Sequence, residues 1–216
     1  ARIPKMSAET FARLRAQAAL QVEARTGERR VQVLPVQPDR GFARLPAPDP
    51  ADLFFDLEGD PLFPGGLEYL WGLHYREEDR PRFIAEWAHD RDTERLVFER
   101  IVDLLTAHVS AHPQAHIYHY AAYEVTALRR LSTAYASREE AVDALLRAEK
   151  FVDLYSVARH AIRTSQPSMS LKALEAFFAA TRDEAVTKAD QSIVFYHRWR
   201  ETRDEKLLQD ILDYNR

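Results

Sequence analysis

The sequence predicts an α/β domain in which a mixed β-sheet is flanked by helices. Two observations predict this class. Three apolar, strand-like runs follow one another closely, and amphipathic helices with one further strand-like run come after them. The chain has 216 residues, which is enough for one sizeable domain with a complete core, alone or with an appendage.

The first part of the chain is predicted to precede this domain. Residues 7–25 have the pattern of an amphipathic helix with Ser7 as its N-cap. Residues 26–50 contain several prolines and are predicted to be extended. We therefore expect the compact domain to begin at about Ala51.

The elements of the domain follow in a clear order. The strand-like runs are DLFFDLE, LEYLWGLHY and RFIAEWAH, and the turns between them contain Pro-Gly-Gly and Asp-Arg-Pro. A helix is predicted over residues 92–110, then a short strand in AHIYHY, then a helix whose inner face carries Leu128 and Leu131. Residues 138–216 are predicted to be mainly helical, with a break near TSQPSMS. This order is typical of a ribonuclease H-like α/β domain, although plain α+β layering would give a similar count.

Composition excludes several classes of function. The chain has no cysteine, which removes disulfides, thiolate metal sites and cysteine nucleophiles, and fits a cytoplasmic protein. Its apolar runs are far shorter than the roughly 20 residues of a membrane helix, so no membrane partner is expected. The net charge of −4 disfavours tight binding of duplex nucleic acid by bulk charge, but a local basic patch or metal ions could still hold phosphates.

Two acids lie in the first strand-like run. Residues two apart share one face of a strand, so Asp56 and Glu58 should project together, about 7 Å apart at their Cα atoms, while Phe55 and Leu57 point into the core. Such a pair suits Mg²⁺ or Mn²⁺, and without a metal one of the two acids would have to keep its proton. The alternative is an edge strand with solvated acids beside a Gly-Asp-Pro turn.

Two further segments carry candidate functional residues. Residues 117–131 run from an aromatic strand into a helix that carries Glu124 near its start, where an acid also simply stabilises the helix dipole. His119 and Tyr120 in that strand fit aromatic positions at the edge of a core equally well. Tyr214 lies in ILDYNR, on the last helical face, where a tyrosine more often packs than reacts.

Several motifs along the chain, taken together, carry a resemblance to a known family. The motifs, which span about residues 34–216, are LPAPDPADLFFDLEGDP, GLEYLWGL, AEWAHD, IYHYAAYEVTALRRL, FVDLYSVAR, SLKALEAFF, SIVFYHRW and YNR. In this order they resemble the DEDD superfamily of 3′–5′ exonucleases, which has a ribonuclease H-like fold. More closely, the chain resembles the YprB-type ribonuclease H-like domain of bacterial RecB-like nuclease and helicase fusion proteins.

The resemblance implies an architecture. It implies a mixed five-stranded sheet, with three antiparallel strands followed by parallel ones, flanked by helices. Residues 1–33 would be the helical tail of a preceding segment, residues 34–50 a proline-rich lead-in, and residues 51–216 the exonuclease domain, truncated at its C-terminal end.

The resemblance also implies a set of site residues. Asp56 and Glu58 match the first exonuclease motif, which bridges two metal ions. Glu124 falls where the wider superfamily has Asp, a departure that matches the YprB-type pattern and would shift or weaken one metal site. Tyr214 matches the tyrosine of the third motif, whose acidic partner would fall two residues past Arg216, so we expect the fragment to lack its fourth acidic ligand and to be inactive alone.

Other positions match the family with less defined roles. Asp153 is either structural or orients a ligand. Lys172, close to the predicted N-cap Ser170, would contact a substrate phosphate, or is an exposed lysine at a helix start. His119 and Tyr120 are expected to contact the substrate.

The implied function is metal-dependent 3′–5′ exonuclease cleavage of DNA or RNA. Two Mg²⁺ or Mn²⁺ ions would be held by Asp56, Glu58 and Glu124, and Tyr214 would orient the attacking water. The expected partners are single-stranded or 3′-end nucleic acid and covalently fused nuclease and helicase domains in the parent protein. The alternatives are a non-catalytic nucleic-acid-binding or spacer module, and an internally cutting ribonuclease, which should lack the water-orienting tyrosine.

Overall fold

The computed structural model describes residues 4–78, 80–178 and 189–216. The chain divides into two compact units. One unit consists of Ala1–Leu45 with Leu154–Arg182, and the other consists of Pro46–Asp153 with Asp183–Arg216. The boundaries predicted from the sequence, at residues 33 and 50, remain predictions.

The helices and strands of the described residues are as follows. The helices are α1 (Ala8–Glu23), α2 (Arg91–Ala111), α3 (Tyr123–Tyr135), α4 (Glu139–Arg147), α5 (Leu154–Ala161), α6 (Leu171–Glu175), α7 (Ala189–Thr202) and α8 (Glu205–Asn215). The strands are β1 (Val31–Val33), β2 (Leu53–Asp60), β3 (Leu67–Glu77), β4 (Arg80–Trp87), β5 (Ile117–His119), β6 (Phe151–Asp153) and β7 (Ile162–Thr164). None of these helices is both long and apolar enough to cross a membrane.

The larger unit contains a five-stranded mixed sheet in the order β4-β3-β2-β5-β6. β2, β3 and β4 pair antiparallel, whereas β5 runs parallel to both β2 and β6. The predicted α/β class with three antiparallel strands and then parallel ones is therefore confirmed. The fifth strand, β6, lies within the region that was predicted to be mainly helical, because a three-residue strand is too short to show a period of two.

Two apolar clusters lie on the two faces of this sheet. The first joins buried residues of β2, β3 and β5, among them Phe55, Leu57 and Trp71, to α2, α3 and α4. The second joins Tyr69 and its neighbours on β3 to α7 and α8. The sheet is thus a central layer with helices on both faces.

The smaller unit is built around α1 and a two-stranded sheet of β1 and β7, which pair antiparallel. Ser7 caps α1 by accepting a hydrogen bond from the Thr10 N–H, as predicted. The apolar stripe predicted for this helix is not buried, since α1 has no buried residue. Its contact with β7 is polar instead, because the Gln17 side-chain amide donates to the Thr164 carbonyl oxygen over 2.7 Å.

Candidate metal centre

Asp56 and Glu58 lie on one face of β2. Their neighbours Phe55 and Leu57 are 2% and 6% exposed and point into the first apolar cluster. Glu58 is opposite Leu70 of β3, a member of the second cluster, so both acids project towards the face covered by α7 and α8. The alternation predicted from the sequence is therefore present at this strand.

Glu124 joins the pair from the first turn of α3. It is only 3% exposed, and its carboxyl group is hydrogen-bonded to that of Asp56. The Asp56 side chain is open to solvent on one side, but most of its surroundings are protein. This loss of hydration raises the pKa of Asp56 to about 8, and the negative charges of Glu58 and Glu124 add to the shift.

Neutral donors surround Glu58. Burial raises the pKa of Glu58 to about 7, while hydrogen bonds from Asn215, Tyr69 and Ser192 lower it. The Tyr69 hydroxyl donates to one carboxylate oxygen over 3.3 Å and the Ser192 hydroxyl to the other over 3.5 Å. Donors of this kind stabilise the charged form of a carboxylate and so oppose the effect of burial on the pKa of Glu58.

A β-bulge brings Tyr69 to this face. The register of β2 and β3 shifts between Glu58 and Gly59, so that Glu58 is opposite Leu70 while Gly59 is opposite Glu68, and Tyr69 is the extra residue. Tyr69 is fully buried and stacks on Tyr196 of α7, with 3.9 Å between the ring centroids. The bulge therefore gives Glu58 a rigid hydroxyl donor that strict alternation would have placed elsewhere.

Asp153 holds the turn that precedes Glu124. Between β5 and α3, Ala121 has a left-handed backbone with φ of 72°. Its N–H donates to the Asp153 Oδ1 atom at the end of β6 over 2.9 Å. The sequence left open whether Asp153 is structural or orients a ligand, and this bond shows that it supports the turn leading into α3.

The last turn of α8 also reaches the acids. Tyr214 lies half-buried in this turn, and the next residue, Asn215, provides a side-chain hydrogen bond to Glu58. The role of Tyr214 as the residue that orients water remains a prediction. Asn215 and Ser192 had no predicted role, although both lie in segments, YNR and SIVFYHRW, that carried the family resemblance.

The three residues expected to contact substrate lie in different surroundings. His119 is buried, with its Nδ1 atom 3.4 Å from the Glu124 Oε2 atom. Tyr120 is half-buried. Lys172 is exposed in the first turn of α6, after the N-cap Ser170, and belongs to the smaller unit. Their contacts with substrate remain predictions.

A further buried acid lies at the end of β2. Asp60 is 1% exposed, and its Oδ1 atom accepts a hydrogen bond from the Leu62 N–H over 2.9 Å. The same atom lies 3.1 Å from the Nε2 atom of His197 on α7. Sequence reasoning placed Asp60 only in a turn, since nothing in the pattern marks a buried partner on a helix far along the chain.

The carboxylate groups of Asp56, Glu58 and Glu124 suit a hard divalent cation, although they are not arranged as a complete set of metal ligands. Among residues 4–78, 80–178 and 189–216, no three Asp, Glu, His or Cys groups lie close enough together to hold a metal ion. Asp56 and Glu124 are nevertheless in contact, and the buried Glu124 Oε2 atom has no hydrogen bond within the described chain. Carboxylate oxygens are among the ligands that Mg²⁺ and Mn²⁺ prefer.

Comparison with known protein families gives a match. The family model RNase_H_2, described as RNase_H superfamily, matches residues 53–216. The matched region contains the whole five-stranded sheet and the four residues Asp56, Glu58, Glu124 and Tyr214. No curated protein and no solved structure matches the chain.

Proposed function

Because the chain belongs to the ribonuclease H superfamily, we propose that residues 53–216 form a metal-dependent nuclease domain that hydrolyses phosphodiester bonds of DNA or RNA. The observation that carries this proposal is the contact between the carboxyl groups of Asp56 and Glu124 beside Glu58. These groups meet where β5 ends next to β2, and the carboxyl ends of parallel strands are where sites of α/β proteins usually lie.

The chemistry of the three acids supports divalent metal ions as cofactors. Nucleases of this superfamily typically use them, and Asp56, Glu58 and Glu124 would hold two Mg²⁺ or Mn²⁺ ions through carboxylate oxygens. When bound, such ions polarise the phosphate, activate water and stabilise the leaving oxygen. A protein with a net charge of −4 can therefore act on a polyanion.

The chain's own residues position this chemistry. Tyr69 and Ser192 each donate to one oxygen of the Glu58 carboxylate, and Asn215 bonds to it from the last turn of α8. Tyr214, in the same turn, would orient the attacking water. His119, Tyr120 and Lys172 are proposed to contact the nucleic acid, with Lys172 at a phosphate.

The finer classification follows the family resemblance. We propose cleavage from the 3′ end, in the manner of the DEDD exonucleases of the tyrosine subclass. We also propose that the domain belongs to the YprB type and works within a larger RecB-like protein that carries nuclease and helicase domains. A single-stranded 3′ end is the substrate that this arrangement favours.

A cleavage assay tests the proposed function. A 5′-labelled single strand, as DNA and as RNA, is incubated with Mn²⁺ and either this chain or a version extended past Arg216 along its natural sequence. We expect the extended version to give products that shorten one nucleotide at a time from the 3′ end, and we expect Asp56→Asn in that version to abolish them. Asp103→Asn is the matched control, because Asp103 lies on the surface of α2 in an ion pair with Arg138.

A non-catalytic nucleic-acid-binding or spacer module is the second candidate. One observation favours it, namely that the described residues contain no three ligating groups close enough together to hold a metal ion. Folded protein that binds the strand without any Mn²⁺-dependent cleavage, in both lengths, would establish this alternative. Cleavage inside the strand, without shortening from the end, would indicate an internally cutting ribonuclease instead.

A further inference from the structure

Glu68, a residue with no predicted role, is a buried carboxylate that holds α3. It lies on β3 and is only 3% exposed, and charged side chains are rarely buried to this extent unless they are paired. Its Oε2 atom accepts a hydrogen bond from the Tyr123 hydroxyl over 2.7 Å, and its Oε1 atom accepts one from the Arg130 guanidinium over 2.5 Å. Both donors belong to α3 and are seven residues apart, so they lie two turns apart on one side of the helix.

The β-bulge and Gly59 make this contact possible. The bulge puts Gly59 opposite Glu68, on the face of the sheet away from Glu58. A Cβ atom at residue 59 would lie 2.0 Å from the Tyr123 hydroxyl oxygen and 2.5 Å from the Glu68 Oε2 atom. Only glycine leaves room for the Tyr123–Glu68 hydrogen bond at this point of β2.

A second buried acid holds the other end of the same helix. Glu94 of α2 is fully buried and accepts hydrogen bonds from the Glu68 N–H over 2.6 Å and from Arg91 over 2.8 Å. It also accepts a hydrogen bond from the hydroxyl of Tyr135, the last residue of α3. The two ends of α3 are therefore fixed to the sheet and to α2 by separate buried carboxylates.

We infer that Glu68 is a positioning residue that sets the place of Glu124 through Tyr123 and Arg130. Tyr123 directly precedes Glu124 in the first turn of α3, so the bond to Glu68 fixes the backbone from which Glu124 reaches Asp56. Groups behind the ligands of a metal site commonly change metal affinity by 10- to 100-fold when they are removed. This inference rests on the proposed function, because it takes Glu124 to be a metal ligand.

Two matched variants separate positioning from general stability. Tyr123→Phe and Tyr135→Phe each remove one hydroxyl from α3 that donates to a buried carboxylate, but only the first lies next to Glu124. The dissociation constant for Mn²⁺ is measured by electron paramagnetic resonance, and the melting temperature is measured for each variant. We expect Tyr123→Phe to weaken Mn²⁺ binding about tenfold and Tyr135→Phe to change it less than about twofold, with comparable losses of melting temperature.

Glu68→Gln tests the positioning role independently. It keeps the shape of the side chain and removes the negative charge to which Tyr123 and Arg130 donate. We expect it to weaken Mn²⁺ binding at least as much as Tyr123→Phe does. Unchanged Mn²⁺ affinity in Tyr123→Phe, or equal weakening by both tyrosine variants, would overturn the positioning role while leaving the proposed function intact. If the unmodified protein binds no Mn²⁺, or binds it independently of Asp56, the proposed function fails and the positioning role fails with it.

Discussion

Asp56 on β2 and Glu124 on α3 are hydrogen-bonded to each other although both side chains are carboxyl groups. Such a bond needs a proton on one of the two acids, and the charge of Glu58 nearby further disfavours full ionisation. The pair therefore holds either a proton or a cation. Whether the pair holds a proton or a cation determines how stability and Mn²⁺ binding depend on pH.

The stability of the metal-free protein should fall as the pH rises. The folded state raises the pKa of Asp56 from its ordinary value of 3.8 to about 8. A carboxyl group whose pKa is higher in the folded state contributes its full stability below the unfolded-state pKa and loses it as the pH rises through the folded-state pKa. We expect the free energy of unfolding to decline between about pH 4 and pH 8, as measured by urea unfolding in a chelator.

Asp56→Asn is the control for this pH dependence, because asparagine cannot lose the proton. The variant should show a smaller decline over the same range than the unmodified protein does. Added Mn²⁺ should change the pH dependence of stability in the protein that keeps Asp56, and it should leave the pH dependence of Asp56→Asn unchanged. Parallel pH profiles for the two proteins in chelator would contradict this assignment.

Shortening an apolar side chain should lower the free energy of unfolding much more where that side chain is buried than where it is exposed. Leu105 of α2 is fully buried in the first apolar cluster, whereas Leu96 of the same helix is 55% exposed. We expect Leu105→Ala to lower the free energy of unfolding by about 2–5 kcal/mol, and Leu96→Ala to change it by less than about 1 kcal/mol. Urea denaturation of both variants measures the difference, and similar losses would show that this face of α2 is not packed as described.

Gly59→Ala should disturb the contact between Tyr123 and Glu68. The new Cβ atom would approach the Tyr123 hydroxyl oxygen to 2.0 Å, and the side chains would have to separate. We expect a loss of about 1–3 kcal/mol in the free energy of unfolding. In a Tyr123→Phe background the same substitution should cost less, because the nearer of the two clashing oxygens is absent, and a double-mutant cycle measures this coupling. Strict additivity of the two changes would argue against the contact.

Tyr69→Phe should weaken metal binding without disrupting the fold. Tyr69 donates to Glu58 over 3.3 Å, and the stacking of its ring on Tyr196 does not need the hydroxyl. We expect about a tenfold loss of Mn²⁺ affinity, as is usual when a group that orients a ligand is removed. Tyr118→Phe is the matched control, since the Tyr118 hydroxyl is bonded to Asp52 and not to Glu58. Equal Mn²⁺ affinity in the two variants would contradict the role of Tyr69.

The sequence predicted those features of the site that depend on local periodicity. Asp56 and Glu58 alternate with buried apolar residues, and a strand period of two is enough to place them on one face. The positions of α2 and α3 followed in the same way from the spacing of apolar residues such as Val97 and Leu128.

Features that depend on register or on distant packing could not be predicted. The bulge that turns Tyr69 towards Glu58 shifts the pairing of two strands by one residue, and neither strand shows this in its own pattern. Ser192 and Asn215 reach Glu58 from helices more than 130 positions further along the chain, so only the folded chain brings them together. Glu68 had no predicted role, because its burial depends on contacts with Tyr123 and Arg130 of α3.

The most direct test of the central claim is the number of protons that leave the protein when Mn²⁺ binds. Calorimetric titrations at pH 7, in two buffers with different ionisation enthalpies, measure this number. The pKa values of Asp56 near 8 and of Glu58 near 7 predict that between about one and two protons are released, and that Asp56→Asn releases fewer and binds more weakly. Binding without proton release, or binding of equal strength in Asp56→Asn, would show that the acids of β2 do not hold the metal.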